Sequence, residues 1–373
     1  MTTRRVAIIG GGLAGLTAAH RLTGAAEVLL FEQSARLGGQ ILTEQAHGFT
    51  IERGAEGFVF RSTAVPALVG ALGLPDESLI GQSTLRSYGF DGRALQALAP
   101  GEAATYLGFQ VSREDLGKGI RSLRRGMGSL TAALEHALER AAGVTLRRET
   151  RVVALEHTRD AMTVVTADGA RHAGHAVLLA TTAAAAAPLF ASVLPATPEA
   201  AALAQSPTLS SVTVELAFGR DAVRHALDGT GFVVAQAAQH DGLRACTFTS
   251  AKFADRAPAG QTSLRLFFRP TAEDLQALDD AAWIDRAVRG LGRVLDVRGE
   301  LLHAWVSRWP NALPVFSDEH KATVAAVERA LQAAALPLLL AGSAFAGSGI
   351  DAAVQSGERA AENLRALLTG HTV

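Results

Sequence analysis

The chain has 373 residues, of which 48% are hydrophobic and 19% charged, a globular composition with enough apolar content for a large core. A chain of this length predicts two or three domains. The formal net charge of -1 excludes a strong overall field that would recruit nucleic acid or an anionic membrane, and nucleic acid is not expected as a partner. The single cysteine, Cys246, excludes an intramolecular disulfide and is typical of a reducing cytoplasm.

Two stretches have the composition of a membrane span, at 175–196 and 331–350. Prolines interrupt both, and neither offers the roughly 20 uninterrupted apolar residues that a spanning helix needs. No secretory signal precedes the first apolar strand near Val6. We therefore expect buried strands flanked by helix, no transmembrane segment, and a cytoplasmic protein.

The chain opens with the pattern of a strand, a helix and a second strand. Arg5–Ile9 and Glu27–Glu32 are apolar runs, and Leu13–Leu22 between them has helical periodicity. Further helices are expected at 65–72 and 130–141. The stretch between these two helices is weakly patterned.

The second half of the chain has mainly the patterns of strands. Residues 145–180 predict a meander with turns at 158–160 and 168–169. Alternating segments typical of antiparallel strands follow at 210–218, 231–237, 243–250 and 262–268. A helix around 183–187, a strand at 338–341 and a closing helix at 351–368 complete the prediction.

The run Gly10-Gly11-Gly12-Leu13-Ala14-Gly15 fits G-x-G-x-x-G, with a strand before it, a helix after it and Glu32 ending the next strand. Gly10 permits a tight turn, Gly12 lets the backbone approach a pyrophosphate, and Gly15 allows close helix–strand packing. The helix N-terminus favours the anion, and Glu32 would bind ribose hydroxyls. A glycine turn that binds nothing is the alternative interpretation.

Two more glycine-containing segments extend this pattern. One is Arg36-Leu37-Gly38-Gly39-Gln40, and the other is Leu340-Ala341-Gly342-Ser343 with Gly347-Ser348-Gly349-Ile350-Asp351-Ala352-Ala353. Together with the first motif they resemble the FAD-binding superfamily that includes monoamine oxidases, phytoene desaturases and protoporphyrinogen oxidases. The resemblance implies non-covalent FAD, held mainly by the first forty and the last thirty residues.

The resemblance also implies roles for individual residues. Arg36 and the Gly38-Gly39 pair lie along the pyrophosphate and flavin, Val152 contacts adenine, and the closing helix begins under the isoalloxazine ring. A solvated surface charge is the alternative for Arg36, and a place in the core is the alternative for Val152. The implied cofactor-binding residues are Gly10, Gly12, Leu13, Ala14, Gly15, Glu32, Gln33, Arg36, Gly38, Gly39, Gln40, Gly54, Ala55, Glu56, Val152, Ala180, Trp309, Gly342, Ser343, Gly349, Ile350 and Ala353. No metal site is expected.

Several further stretches resemble the bacterial protoporphyrinogen and coproporphyrinogen oxidases. They are 48–58, 124–130, 245–253 with Arg256-Ala257-Pro258, and Arg308–Pro314. This resemblance implies an enzyme of haem biosynthesis that transfers hydride from a porphyrinogen to flavin N5 three times, with molecular oxygen reoxidising the flavin to give hydrogen peroxide. Arg86 is the implied ligand of a substrate propionate, although a surface arginine fits the sequence equally well.

The chain departs from this branch between Leu74 and Gly126. Relatives carry a long helical subdomain there that roofs the porphyrin pocket and contacts the membrane, whereas this chain has only about fifty residues. An open active site, closure by a partner or by a second subunit of a homodimer, and a different substrate are the alternatives.

The sequence therefore predicts an α/β fold with a Rossmann-type FAD-binding domain formed by 1–75, 126–185 and 335–373. An α+β substrate domain at 186–334, built on an antiparallel or mixed sheet, is inserted into it, and 76–125 forms a truncated cap segment. A flavin amine oxidase is disfavoured because the strand at 210–218 has no lysine. A flavin-binding paralogue without porphyrinogen turnover remains open, and an NAD-only dehydrogenase leaves the C-terminal motif unexplained.

Overall fold

The computed structural model describes residues 4–107, 118–158, 161–194 and 198–369. The helices are α1 (Leu13–Leu22), α2 (Ala64–Ala71), α3 (Glu102–Tyr106), α4 (Gly128–Arg140), α5 (Ala183–Val193), α6 (Pro198–Ala204), α7 (Thr249–Lys252), α8 (Ala272–Ala277), α9 (Asp280–Gly292), α10 (Asp318–Ala333) and α11 (Ile350–Thr369).

The strands are assigned to five sheets. They are β1 (Arg5–Ile9), β2 (Glu27–Phe31), β3 (Thr43–Ala46), β4 (Phe49–Glu52), β5 (Phe58–Val59), β6 (Leu79–Gly81), β7 (Tyr88–Phe90), β8 (Leu95–Ala97), β9 (Ile120–Leu123), β10 (Val144–Arg147), β11 (Val152–Thr158), β12 (Ala161–Thr166), β13 (Arg171–Gly174), β14 (Ala176–Leu179), β15 (Thr208–Gly219), β16 (Gly231–Val234), β17 (Leu243–Thr247), β18 (Gln261–Phe268), β19 (Leu301–Pro314) and β20 (Leu338–Leu340).

A parallel five-stranded sheet has the order β10-β2-β1-β14-β20. Its central strands are continuous apolar runs, as expected where helices cover both faces of a parallel sheet. Ile8 and Leu30 face a core shared with α1, α4 and α11. Ile9 and Phe31 face the opposite core, which includes residues of α5, α6 and α10. This architecture confirms the predicted Rossmann-type α/β fold.

Residues 145–180, predicted as one meander, divide between two sheets. β11, β12 and β13 are antiparallel as expected, but β10 and β14 join the parallel sheet. The meander prediction was wrong for these two strands; β14 is buried at every position, which is typical of a strand covered on both faces. The turn at 168–169 is present, and the one at 158–160 extends outside the described residues.

A seven-stranded mixed sheet has the order β19-β15-β18-β17-β16-β7-β8. The four predicted antiparallel strands form its centre, as β15 to β18. The sequence did not predict β19, whose Pro310 is tolerated because this strand lies at the sheet edge. β7 and β8 come from the segment expected to be a cap, and β7 pairs in parallel with β16.

The two stretches with membrane-like composition are parts of the two cores. Residues 175–194 form β14 and α5, and residues 331–350 include the end of α10, β20 and the turn before α11. Among the described residues, no helix combines the length and the apolar character that crossing a membrane requires.

The packing of α11 on α1 depends on a glycine. A Cβ atom on Gly357 would be 2.4 Å from the carbonyl oxygen of Ala14 and 2.9 Å from Cβ of Thr17. We expect Gly357→Ala to lower the free energy of unfolding by about 1–3 kcal/mol, because the two helices must separate. Urea denaturation measures the change. Gly70→Ala on α2, where a Cβ atom meets nothing within 4 Å, is the matched control; equal stability of the two variants would contradict the prediction.

Candidate functional site

The first turn of α1 presents free backbone donors. Gly12 is its N-cap residue, and no side chain of the described chain caps this helix. The N–H of Gly11 donates to Oε2 of Glu32 at 2.9 Å. The helix start is therefore a suitable place for an anion, since its N–H groups and its dipole both favour negative charge there.

Steric contacts distinguish the three glycines of the motif. A Cβ atom on Gly10 would be 2.4 Å from the carbonyl oxygen of Ala180, and one on Gly15 would be 2.0 Å from that of Gly10. A Cβ atom on Gly12, by contrast, would meet nothing within 4 Å. Two glycines are thus needed for packing, whereas Gly12 borders open space that can receive a ligand.

The second glycine pair lies directly against the first turn. The N–H of Gly38 donates to the carbonyl of Gly11 at 2.8 Å, and a Cβ atom on Gly39 would be 3.1 Å from Cα of Gly12. The Arg36 guanidinium donates to the carbonyls of Leu37, Ile41 and, at 2.6 Å, Gly39. Arg36 therefore holds this loop in place, although its side chain lies near the surface.

The segment after β4, residues 53–57, packs on the same loop. A Cβ atom on Gly54 would be 1.7 Å from the carbonyl oxygen of Gln40, and the indole N–H of Trp309 donates to the Arg53 carbonyl at 2.7 Å. The Gln40 amide donates to the Ala312 carbonyl at 2.6 Å. These contacts join the second glycine pair to β19, so Gln40, Gly54 and Trp309 lie together as predicted, with Ala55 exposed between them.

The C-terminal segment also reaches the start of α1. After β20, the N–H of Gly342 donates to Oγ of Ser356 at 3.0 Å, and a Cβ atom on Gly342 would be 3.5 Å from Cβ of Ala14. Gly349 directly precedes α11, which begins at Ile350, and its carbonyl accepts the N–H of Ala353. Ser343 lies beside Gly342, half-buried.

Glu32 lies between the glycine turn and the start of β11. Its carboxylate accepts the N–H groups of Gly11 and Ser34, at 2.9 and 2.8 Å, and its carbonyl accepts the N–H of Thr150. Gln33 is exposed beside it, and Val152, two residues beyond Thr150, is half-buried at the start of β11. The structure thus brings the predicted ribose and adenine contacts to one side of the turn.

The structure pairs Arg86 with Asp228 and with none of the residues described so far. Its side chain is 55% exposed and forms an ion pair with Asp228, which also accepts the Tyr88 hydroxyl at 2.6 Å. The hydrogen bond from Tyr88 and the Arg86 charge keep the pKa of Asp228 below its usual range. Within the described residues, the side-chain bonds of Arg86 connect it to the β7–β16 region of the seven-stranded sheet.

Sequence reasoning predicted Glu56 as a cofactor contact but missed the group of buried charges around it. We call it the charge cluster: Glu52, Glu56, Glu215, Lys252, Arg256 and Arg265. Lys252 forms an ion pair with Glu56, so a buried lysine is present, on α7 and not on the strand at 210–218. The available signal was a charged residue inside an apolar run, as at Glu215 between Val214 and Leu216.

The acids of the charge cluster differ in their electrostatic surroundings. Burial alone would raise the pKa of Glu56, but the charges of Lys252 and Arg265 outweigh it and the pKa is lowered. Burial raises the pKa of Glu52 despite Arg256 beside it.

Among the described residues, no group of three His, Cys, Asp or Glu side chains could hold a metal ion.

Curated relatives match nearly the whole chain. The coproporphyrinogen III oxidase of Bacillus subtilis (strain 168) is 25% identical over 96% of this chain and 97% of its own length. That of Mycobacterium leprae (strain TN) is 26% identical, over 98% and 99%. The Bacillus alignment spans 461 positions, more than the 373 residues of this chain, so the relative contains residues without a counterpart here.

Solved structures share the fold. A protein of Exiguobacterium sp. 255-15, provisionally named a protoporphyrinogen oxidase, superimposes with a TM-score of 0.82 at 24% identity, covering 98% of this chain and 99% of its own. A putrescine oxidase with bound putrescine gives a TM-score of 0.71 at 15% identity, covering 97% and 99%.

Family models account for both parts of the site. Residues 8–72 match the NAD(P)-binding Rossmann-like domain, and residues 89–365 match the flavin containing amine oxidoreductases. The second match covers well over half of the chain, and the first includes the glycine turn, the second glycine pair and the segment after β4. The chain therefore belongs to the flavin-containing amine oxidoreductase family and is a flavin-dependent oxidoreductase.

Proposed function

We propose that this protein is an FAD-dependent oxidase that converts a porphyrinogen to the porphyrin in haem biosynthesis. The observation that carries the cofactor assignment is the open space at Gly12, with the second glycine pair against Gly12 and Gly342 beside Ala14 in the same helix turn. The substrate class rests on the coproporphyrinogen III oxidases that align with this chain over nearly its full length.

The surroundings of the open space fit FAD, with its pyrophosphate at the first turn of α1. We assign the pyrophosphate to the N–H groups of Gly12, Leu13 and Ala14, the ribose to Glu32, and the adenine side to Gln33 and Val152. The flavin side is assigned to Arg36, Gly38, Gly39, Gln40, Gly54, Ala55, Glu56, Trp309, Gly342, Ser343, Gly349, Ile350 and Ala353. The turn is held in position by the close packing of Gly10, Gly15 and Ala180.

We propose non-covalent attachment of the flavin. Cys246 is the one cysteine of the chain, and it is buried on β17 instead of lying in the C-terminal segment. Burial also raises its pKa well above the usual value, so its thiol is a poor nucleophile. A buried, unpaired thiol is also compatible with a reducing cytoplasm, which is where we place the protein.

A bound flavin supplies the electron acceptor, and each oxidation removes two electrons and two protons from the porphyrinogen. The chain contributes position, because Trp309 and Arg265 hold the carbonyls of Arg53 and Gly54, and the N-terminus of α11 would favour negative charge on a flavin bound there. We propose molecular oxygen as the final acceptor, reduced to hydrogen peroxide. Because the segment 76–125 is short, a second subunit of a homodimer is our candidate for covering the substrate.

Lys252 favours a second candidate, a flavin amine oxidase. This buried lysine removes one argument against an amine substrate, and the fold is shared with a putrescine oxidase. Polyamine oxidase 3 of Oryza sativa subsp. japonica is 32% identical over 36% of the chain, a smaller match than that of the coproporphyrinogen III oxidases.

The two candidates are separated by aerobic turnover on FAD-loaded protein. Freshly reduced coproporphyrinogen and protoporphyrinogen are followed by porphyrin fluorescence, and putrescine and spermidine by peroxide release. We expect fluorescence to grow well above the autoxidation blank, with peroxide, and no peroxide from the amines. Turnover of an amine without turnover of a porphyrinogen would reverse the order of the two candidates.

Gly12→Ala tests the cofactor site. The added methyl group would occupy the open space assigned to the pyrophosphate, so we expect normal folding but FAD affinity reduced about tenfold or more, equivalent to ~1.4 kcal/mol. Flavin absorbance of the purified protein and titration with FAD measure it. Gly70→Ala, also in open space but on α2, should keep full occupancy. Equal flavin content in both variants would remove Gly12 from the site.

Arg86→Ala tests the substrate-propionate assignment. Losing a charge-assisted hydrogen bond of about 1.5–3 kcal/mol should raise KM for coproporphyrinogen at least tenfold while flavin content stays unchanged. Arg171, an exposed arginine paired with Glu156 on the three-stranded sheet, supplies the control variant Arg171→Ala. Identical kinetics of the two variants would make Arg86 a surface residue.

A further inference from the structure

The function proposed above uses Glu56 and Arg265 of the charge cluster only to shape the segment assigned to the flavin, and it gives Glu215 no role. The cluster contains three acids and three cations, and most of these side chains are almost fully buried. Charges removed from water interact strongly with one another and with any charge nearby. A change in the protonation of one member therefore changes the electrostatic energy of its neighbours.

Glu215 is the member with the fewest partners. It is 3% exposed, and neither carboxyl oxygen has a hydrogen-bond partner at normal geometry among the described residues; the Ser263 hydroxyl of β18 lies close enough to lower its pKa but has no partner at normal geometry either. On β15 it pairs with Arg265 of β18 on one side and with Trp305 of β19 on the other. Four titratable or charged groups interact electrostatically with the Glu215 carboxyl: Arg265 on β18, Cys246 on β17, Glu52 on β4 and Glu56 after β4. The remaining charges of the cluster are Lys252 and Arg256.

Arg265 connects Glu215 to the segment assigned to the flavin. Its Nη2 donates to the carbonyl of Gly54 at 2.6 Å, and its Nη1 lies 3.8 Å from Oε2 of Glu56. Nε and Nη1 of this guanidinium have no hydrogen-bond partner within the described chain. Arg265 therefore keeps two donor nitrogens without a hydrogen-bond partner while Nη2 is bonded to Gly54, so a change of charge on Glu215 can alter the attraction of Arg265 for the Gly54 carbonyl.

We propose that Glu215 is a proton-binding positioning residue that acts through Arg265 on the Gly54 segment and on the charge beside the flavin. The inference rests on the flavin site of the proposed function, but not on its substrate. When two electrons arrive, negative charge beside the cluster increases, and the Glu215 carboxylate takes up one proton from solvent, forming an O–H bond. When the electrons leave to the acceptor, the same proton returns to solvent.

The direction of the pH dependence follows from the charges. Burial raises the pKa of Glu215 to about 7, against the opposing charge of Arg265. Below that pH the cluster carries one more positive charge, which stabilises a reduced, negatively charged ring. Above that pH the Glu215 carboxylate opposes reduction. The reduction potential of the flavin should therefore fall more steeply with pH in this range than it would without Glu215, and we call this difference the additional slope.

The test measures how the reduction potential of the bound flavin depends on pH, and compares the parent with Glu215→Gln. Spectroelectrochemistry gives the potential without any porphyrinogen. Gln cannot ionise and resembles the protonated acid. We expect the two potentials to agree well below pH 7, and the variant to keep the higher potential well above it. Matching profiles at every pH would overturn the inference.

Two further variants separate titration from structure. Glu215→Asp retains a carboxyl and should restore the additional slope, whereas a purely structural role would leave it as far from the parent as Gln. Glu328→Gln on α10 is the control, since the pKa of Glu328 is also raised by burial but this residue lies outside the cluster. It should reproduce the parent profile.

A measurement on the parent protein tests the inference even if the variants do not fold. Carbon-13 NMR of protein with labelled glutamate carboxyls should show one buried acid that titrates near 7 and whose midpoint rises when the flavin is reduced. Absence of such an acid would overturn the inference even if no variant folds. Failure to bind flavin would overturn the proposed function first, whereas inactivity toward porphyrinogens with flavin bound leaves this test intact.

Discussion

The close approach of backbones at the glycine turn is the constraint on which the rest of the structure depends. Gly10 packs on the Ala180 carbonyl and Gly15 on the Gly10 carbonyl, so β1, β14 and the start of α1 meet without intervening side chains. This contact fixes the helix N-terminus against the carboxyl edge of the parallel sheet, where ligands of open α/β folds bind. Gly342 and Gly357 then bring the C-terminal segment and α11 against the same helix.

Sequence predicts the parts of the site whose signals are local. The glycine turn, Glu32 and α1 lie within a single short unit, and the structure has them at the predicted positions. The two strands β10 and β14 were misassigned because period alone does not say which sheet an apolar strand joins. β19 was missed because Pro310 is a strand breaker except at an edge, and edge position is a tertiary property.

The charge cluster could not be predicted for a related reason. Its six residues come from β4, the segment after it, β15, β18 and the region around α7, so only the folded chain shows that they meet. Glu56 was predicted only as a cofactor contact, and Glu215 is marked in the sequence only by its place inside an apolar run. Arg86, for which the family resemblance implied a propionate contact and a surface arginine fitted equally well, is exposed and paired with Asp228, and its substrate role stays a prediction.

The order of strands in the parallel sheet has a consequence for biogenesis. β1 and β2 come from the start of the chain, β14 from its middle, and β20 only after the whole of the seven-stranded sheet has been made. A ribosome therefore releases residues 5–31 long before Gly342 and α11 exist to complete their surroundings. Because Gly342 and Gly357 pack on α1, the glycine turn gains its full set of packing partners only after nearly the whole chain has been synthesised.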